Sequence, residues 1–182
     1  MTGPHDPHSP DQKNTPLERL SLIRQREIEA RIVGPIVRAF VKEVGPDRGL
    51  EIVRGVISQL ARDGGESFAA KLGDNSLDSF AGALDLWKEG DALVIETLDQ
   101  SPGSLDFNVT RCRYAEMYHA LGLGDLGFSL SCQRDFALIE GFNPDVTLTR
   151  TQTIMEGAPY CDFRFRARPG PADSPTQVAR RD

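Results

Sequence analysis

Thiol and carboxylate side chains recur together in three short stretches of the second half of the chain: Cys112 with Glu116, Cys132 with Asp135, and Cys161 with Asp162. Thiols and carboxylates can hold a divalent metal or act as nucleophile and proton shuttle, and no other part of the sequence offers a comparable set. Each cysteine falls near the start or end of an element that the periodicity predicts. Glu116 and His119 are three apart, so a helix beginning just after Cys112 puts them on one face, and Cys132 and Asp135 share the same spacing on the next helix. These groups make a site only if separate elements bring them together.

The elements can be read from apolar periodicity and turn residues. Thr15-Pro16 is an N-cap followed by proline at the first helical position, and Leu17, Leu20, Ile23 and Ile28 continue as a stripe. Gly34-Pro35 predicts a break or kink, followed by a second segment that ends at Gly45-Pro46. A third helix carries Leu50, Val53, Ile57 and Leu60 and is closed by Gly64-Gly65; a fourth stretch runs from Phe68 to Trp87, interrupted near Gly73. From Asp91 the period changes to alternation. Strands are predicted over Ala92 to Leu98 and Leu105 to Cys112, with Leu105, Phe107 and Val109 on one face. Two helices follow, Tyr114 to Leu121 and Gly127 to Glu140, and then two more strands, Val146 to Met155 and Tyr160 to Arg166. Helices first and strand pairs later predict an α+β fold: an N-terminal helical half, then an antiparallel sheet of two hairpins flanking a helix pair. No glycine-rich phosphate loop follows a strand.

A chain of 182 residues with 39% hydrophobic content suits one core, so a single domain is expected over 16–166, with disordered tails at 1–15 and 167–182 rich in Pro, Gly, Asp and Ser. The 21 basic and 27 acidic residues give a net charge of -6 with no basic stripe, which argues against nucleic acid as a partner. No apolar run approaches the roughly 20 residues of a membrane helix, and the N-terminus lacks the pattern of an export signal, so a cytoplasmic protein is expected. Three cysteines in such a chain read as reduced thiols rather than a disulfide framework. His5 and His8 lie in the first tail, where a metal site would have no preset geometry. The expected partner is a small molecule, and the helical half is a candidate surface for homo-oligomer formation.

The run Arg111-Cys112-Arg113-Tyr114-Ala115-Glu116, then Cys132-Gln133-Arg134-Asp135, Gly141-Phe142-Asn143-Pro144, Arg150 to Gly157, and Cys161-Asp162-Phe163-Arg164-Phe165 resembles the L-2-amino-thiazoline-4-carboxylic acid hydrolase family. The resemblance covers about residues 90 to 166. It implies hydrolysis at a cyclic, amidine-like C=N carbon, opening a thiazoline ring to a carbamoyl amino acid. The Cys-Asp-Phe ending after a glycine turn and a helix pair is also similar to 4-vinyl reductase type domains, which implies ligand or metal binding without turnover.

A hydrolase of this type needs a nucleophile, a proton for the departing ring atom and a holder for the substrate carboxylate. Cys132 or Cys161 could attack as thiolate, or Cys112, Cys132 and Cys161 with Asp135 or Glu116 could hold Zn²⁺ or Mn²⁺ that activates water. Glu116 or Asp135 would shuttle the proton, and Arg150 or Arg164 would clamp the carboxylate, with Thr151, Thr153 and His119 as further substrate-binding candidates. Neither CxxC nor HExxH spacing is present, so a metal site would have to be assembled from separate elements. Each group also has a plain structural reading. Cysteine packs as a small hydrophobe, and Cys161, which shares its strand side with Phe163 and Phe165, has the strongest claim to be core. Glu116 and Asp135 read equally well as helix-surface charges, His119 as an ordinary hydrogen-bonding histidine, and the threonines as strand formers.

Overall fold

Apolar residues at helical spacing fold the first half of the chain into three helices: α1 (Leu22–Val44), α2 (Pro46–Leu72) and α3 (Leu77–Lys88). The computed structural model describes residues 20–168. The expected helix start at Thr15-Pro16 and most of both expected tails lie outside the described residues, although Ala167 is the last residue of a strand. The break expected at Gly34-Pro35 does not occur, because α1 passes through Pro35. Ala30, Gly34 and Val37 are buried on the packed side, whereas Pro35 is exposed, so water can serve the carbonyl that its missing N–H leaves unbonded.

The pair Gly64-Gly65, expected to close a helix, lies inside α2, which continues to Leu72 and ends at Gly73 in the left-handed conformation (φ 68°). Gly65 marks a close approach between helices. A methyl group there would collide with the backbone of Leu138 and Phe142, and one on Gly141 would collide with the Arg62 carbonyl. Two bare backbones in contact let α2 press directly on α6 (Arg134–Phe142), the helix that carries Asp135.

The second half alternates as the pattern predicts. Strands β1 (Leu93–Ser101), β2 (Ser104–Cys112), β3 (Val146–Thr149) and β4 (Cys161–Ala167) form one antiparallel sheet in the order β1-β2-β4-β3. Phe107 faces Phe163, Leu105 faces Phe165 and Val109 faces Cys161 across the β2–β4 ladder, and all six are buried. Phe80, Ile139 and Phe142, from α3 and α6, cover this face of the sheet. A second core joins Ala30, Val37 and Ile57 of α1 and α2 to Ala115, Tyr118, Leu126 and Met155. Cys112 and Ile154 pack against both cores, so the seam between the two runs past them.

Between β2 and β3 the chain forms α4 (Arg113–Ala120), the short α5 (Gly124–Gly127), a π-helical turn (Phe128–Cys132) and α6. The single helix expected over Gly127 to Glu140 is therefore divided by the π turn. The strand expected to run to Met155 stops at Thr149. The Asp162 carboxylate accepts the Thr151 and Gln152 N–H groups, both at 2.9 Å, and the Thr151 hydroxyl at 2.7 Å, which replaces ladder bonds and turns the chain out of the sheet. A 3₁₀ turn (Ile154–Glu156), capped by Thr153, then leads back to β4.

Candidate functional site

Cys112 is the last residue of β2 and the N-cap of α4, where its Sγ accepts the Ala115 N–H at 3.4 Å. Cys161 opens β4, and its Sγ accepts the Ile154 N–H at 3.2 Å. Cys132 ends the π turn. These three thiols, from three separate segments, line one cavity of about 230 Å³ together with Asp135 and Arg150. Its remaining wall is largely apolar, with Trp87, Phe163 and Leu138 prominent.

Asp135 lies in the first turn of α6, and Arg150 follows β3 directly. Arg150 Nη1 donates to Asp135 Oδ2 at 2.5 Å and Nη2 donates to the Cys132 carbonyl at 2.7 Å. The guanidinium sits over the rings of Phe136 and Phe163, 4.9 Å from each centroid. The Arg150 side chain is 2% exposed and that of Asp135 is 22% exposed. Arg150 thus ties the end of the π turn, the start of α6 and the face of β4 to one another.

Burial controls the protonation of this site. It pushes the Cys112 thiol up to about 11 and raises Cys132 still further; Cys161 moves the same way despite its backbone N–H. All three thiols are therefore neutral near pH 7. Burial also raises the Asp135 carboxyl, against the pull of Arg150. Burial works against the Arg150 charge, but Asp135 outweighs it and the guanidinium stays above its ordinary value.

The expected metal centre on Cys112, Cys132 and Cys161 does not fit this geometry. Among the described residues, no group of three or more His, Cys, Asp or Glu side chains could hold an ion. His5 and His8 lie outside the described residues.

Several sequence candidates lie away from the cavity. Glu116 is half exposed and paired with Arg111 (2.8 Å), because the face of α4 that it occupies points outward. His119 Nε2 donates to the Met155 carbonyl at 3.2 Å, packing α4 on the 3₁₀ turn. Thr151 is bound to Asp162, and Thr153 is buried as the cap of the 3₁₀ turn. Arg164 points from the opposite face of β4 to Cys161 and donates to the Phe107 carbonyl and to Asn108, both at 2.9 Å. Two charged cavity residues escaped sequence reasoning. Arg134 adjoins Asp135 and could have been flagged by that adjacency, whereas Arg26 is distant in sequence and carries no local signal.

No described helix is long and apolar enough to cross a membrane. No curated protein matches the chain. Among solved structures it is similar to the phenol-responsive sensory domain of the transcription activator PoxR, crystallised with phenol: 11% identical, covering 74% of this chain and 72% of that one, with a TM-score of 0.43. That likeness is too slight to bear on function. Residues 25–165 match the family model of L-2-amino-thiazoline-4-carboxylic acid hydrolase. With the match running from α1 into β4, the chain belongs to the L-2-amino-thiazoline-4-carboxylic acid hydrolase family.

Proposed function

We propose that the protein is a hydrolase that opens a small cyclic, amidine-like substrate within the cavity lined by the three cysteines, with Asp135 carrying the proton. The family name supports hydrolysis. The observation that carries the role of Asp135 is its position: a carboxyl raised by burial, held by Arg150, facing a largely apolar cavity.

Water attacks the C=N carbon of the ring while the Asp135 carboxylate takes one of its protons. That proton passes to the ring nitrogen as the C=N π pair moves onto it, and the tetrahedral carbon then collapses to C=O, breaking its bond to the departing ring atom while Asp135 takes up the hydroxyl proton. Asp135 then returns the proton to the departing atom and is ready for another cycle. Arg150 holds the carboxylate in place and favours its ionised form. Direct attack by Cys132 would first require removal of a proton that burial holds tightly, so the thiols are assigned to the wall of the site.

The test is conversion of L-2-amino-thiazoline-4-carboxylic acid to a carbamoyl amino acid, followed by mass spectrometry. Cys132→Ala and Cys161→Ala are expected to keep turnover within about tenfold, whereas Asp135→Asn lowers it by about 10²-fold or more. The reverse pattern would establish a thiolate mechanism and overturn this one.

A further inference from the structure

The cavity holds more positive charge than its acids neutralise. Arg26, Arg134 and Arg150 line it, and the carboxylates beside them are Asp135, bound to Arg150, and Glu29. With neutral thiols, three guanidiniums face two carboxylates, leaving one positive charge uncompensated. Glu29 hydrogen-bonds to Arg26. Arg134, 19% exposed, lies 3.7 Å from the same Glu29 oxygen, which is beyond hydrogen-bond reach. Arg134 lines the cavity, and no fully buried side-chain nitrogen lacks a partner among the described residues, so its unbonded N–H groups keep access to solvent. Burial and the neighbouring Arg26 pull the Arg134 guanidinium below its ordinary value, outweighing the opposing influence of Glu29 and Asp135.

We propose that Arg134, backed by Arg26, is an anion clamp for a small planar monocarboxylate, whose carboxylate takes up the Arg134 donors that Glu29 leaves unused. A guanidinium presents parallel N–H groups matched to a carboxylate, and partial desolvation strengthens the pairing. One surplus charge suits a monoanion. The indole of Trp87, packed edge-to-face on Phe163 with centroids 6.3 Å apart, gives the same cavity an aromatic wall for the ligand's ring. At about 230 Å³ the space is smaller than the roughly 300–1,000 Å³ of drug-sized sites, which limits the ligand to about one ring and its carboxylate. Arg150, the holder expected from sequence, is already occupied by Asp135 and the Cys132 carbonyl. The clamp rests on the hydrolase reading and deepens it, naming Arg134 in place of Arg150 as the holder of the substrate carboxylate.

Trp87 is the only tryptophan in the chain and reports on the cavity directly. Its fluorescence in the full-length protein would be titrated with benzoate and with its neutral isostere benzamide. Benzoate is expected to bind at least about tenfold more tightly, corresponding to about 1.4 kcal/mol. Arg134→Gln should bring the two ligands within about twofold. Glu29→Gln, which removes the resident carboxylate, should tighten benzoate several-fold and leave benzamide unchanged. Equal binding of the two ligands, no binding of either, or a benzoate preference that survives Arg134→Gln would overturn the clamp. If Arg134→Gln does not fold, a Glu29→Gln protein with unchanged benzoate affinity overturns it equally. A protein that prefers benzoate but converts no thiazoline would count against the hydrolase reading alone.

Discussion

Two arginine–carboxylate pairs flank the helical insertion between β2 and β3 and differ mainly in their surroundings. Arg111 and Glu116 meet at 2.8 Å with both side chains about half exposed, whereas Arg150 and Asp135 meet at 2.5 Å with side chains 2% and 22% exposed. The first pair lies in water, which screens it. The second is wrapped by Phe136, Phe163 and the π turn, so removal of either partner strands a charge. The difference shows that chemical identity and spacing do not by themselves make a site. Burial gives the same two groups the setting on which the proposed proton transfer rests.

The sharpest way to break that contrast is to truncate the buried acid. Asp135→Ala leaves Arg150 buried without its carboxylate and is expected to cost about 3–5 kcal/mol of stability in urea unfolding. Alkaline conditions come next. The Cys112 pKa rises from 9.0 to about 11 on folding, so its contribution is fully present below pH 9 and is lost as pH rises from 9 to 11. Cys112→Ala should flatten that decline by about 2–3 kcal/mol in unfolding measurements across this window.

A third prediction concerns the acid limb of turnover. Because burial raises the Asp135 carboxyl and catalysis requires its ionised form, activity should fall about tenfold per pH unit below a midpoint higher than the ordinary aspartate value. Arg150→Gln should move this midpoint upward, since the cation that favours the carboxylate is gone. The smallest effect belongs to the exposed pair. Glu116→Gln is expected to change stability by no more than about 0.5 kcal/mol and leave turnover unchanged; a large loss would show that the exposed pair is not the inert member of the comparison.

Sequence periodicity made the helical half, the β2–β4 face and the placement of all three cysteines at element ends legible, because each rests on local spacing. The three-residue interval shared by Glu116 with His119 and by Asp135 with Cys132 states that two side chains share a face but not whether that face turns inward. Gly65 and Gly141 carry the composition of helix breakers, yet here they allow α2 and α6 to touch, a role visible only once both helices are placed. The threonine alternation after Thr149 read as strand because the acceptor that competes with the ladder, Asp162, belongs to another segment. Arg26 reaches the cavity from α1 across more than a hundred residues of sequence, a distance over which spacing carries no information.

The claim that matters most is that proton transfer in this fold depends on the Asp135 carboxylate. Asp135→Asn nearly preserves the size and shape of the side chain, so its turnover of L-2-amino-thiazoline-4-carboxylic acid, measured beside thermal unfolding, tests that claim directly. A rate lowered by about 10²-fold or more in a protein that still folds cooperatively is the predicted result. A folded Asp135→Asn protein with the wild-type rate would contradict it.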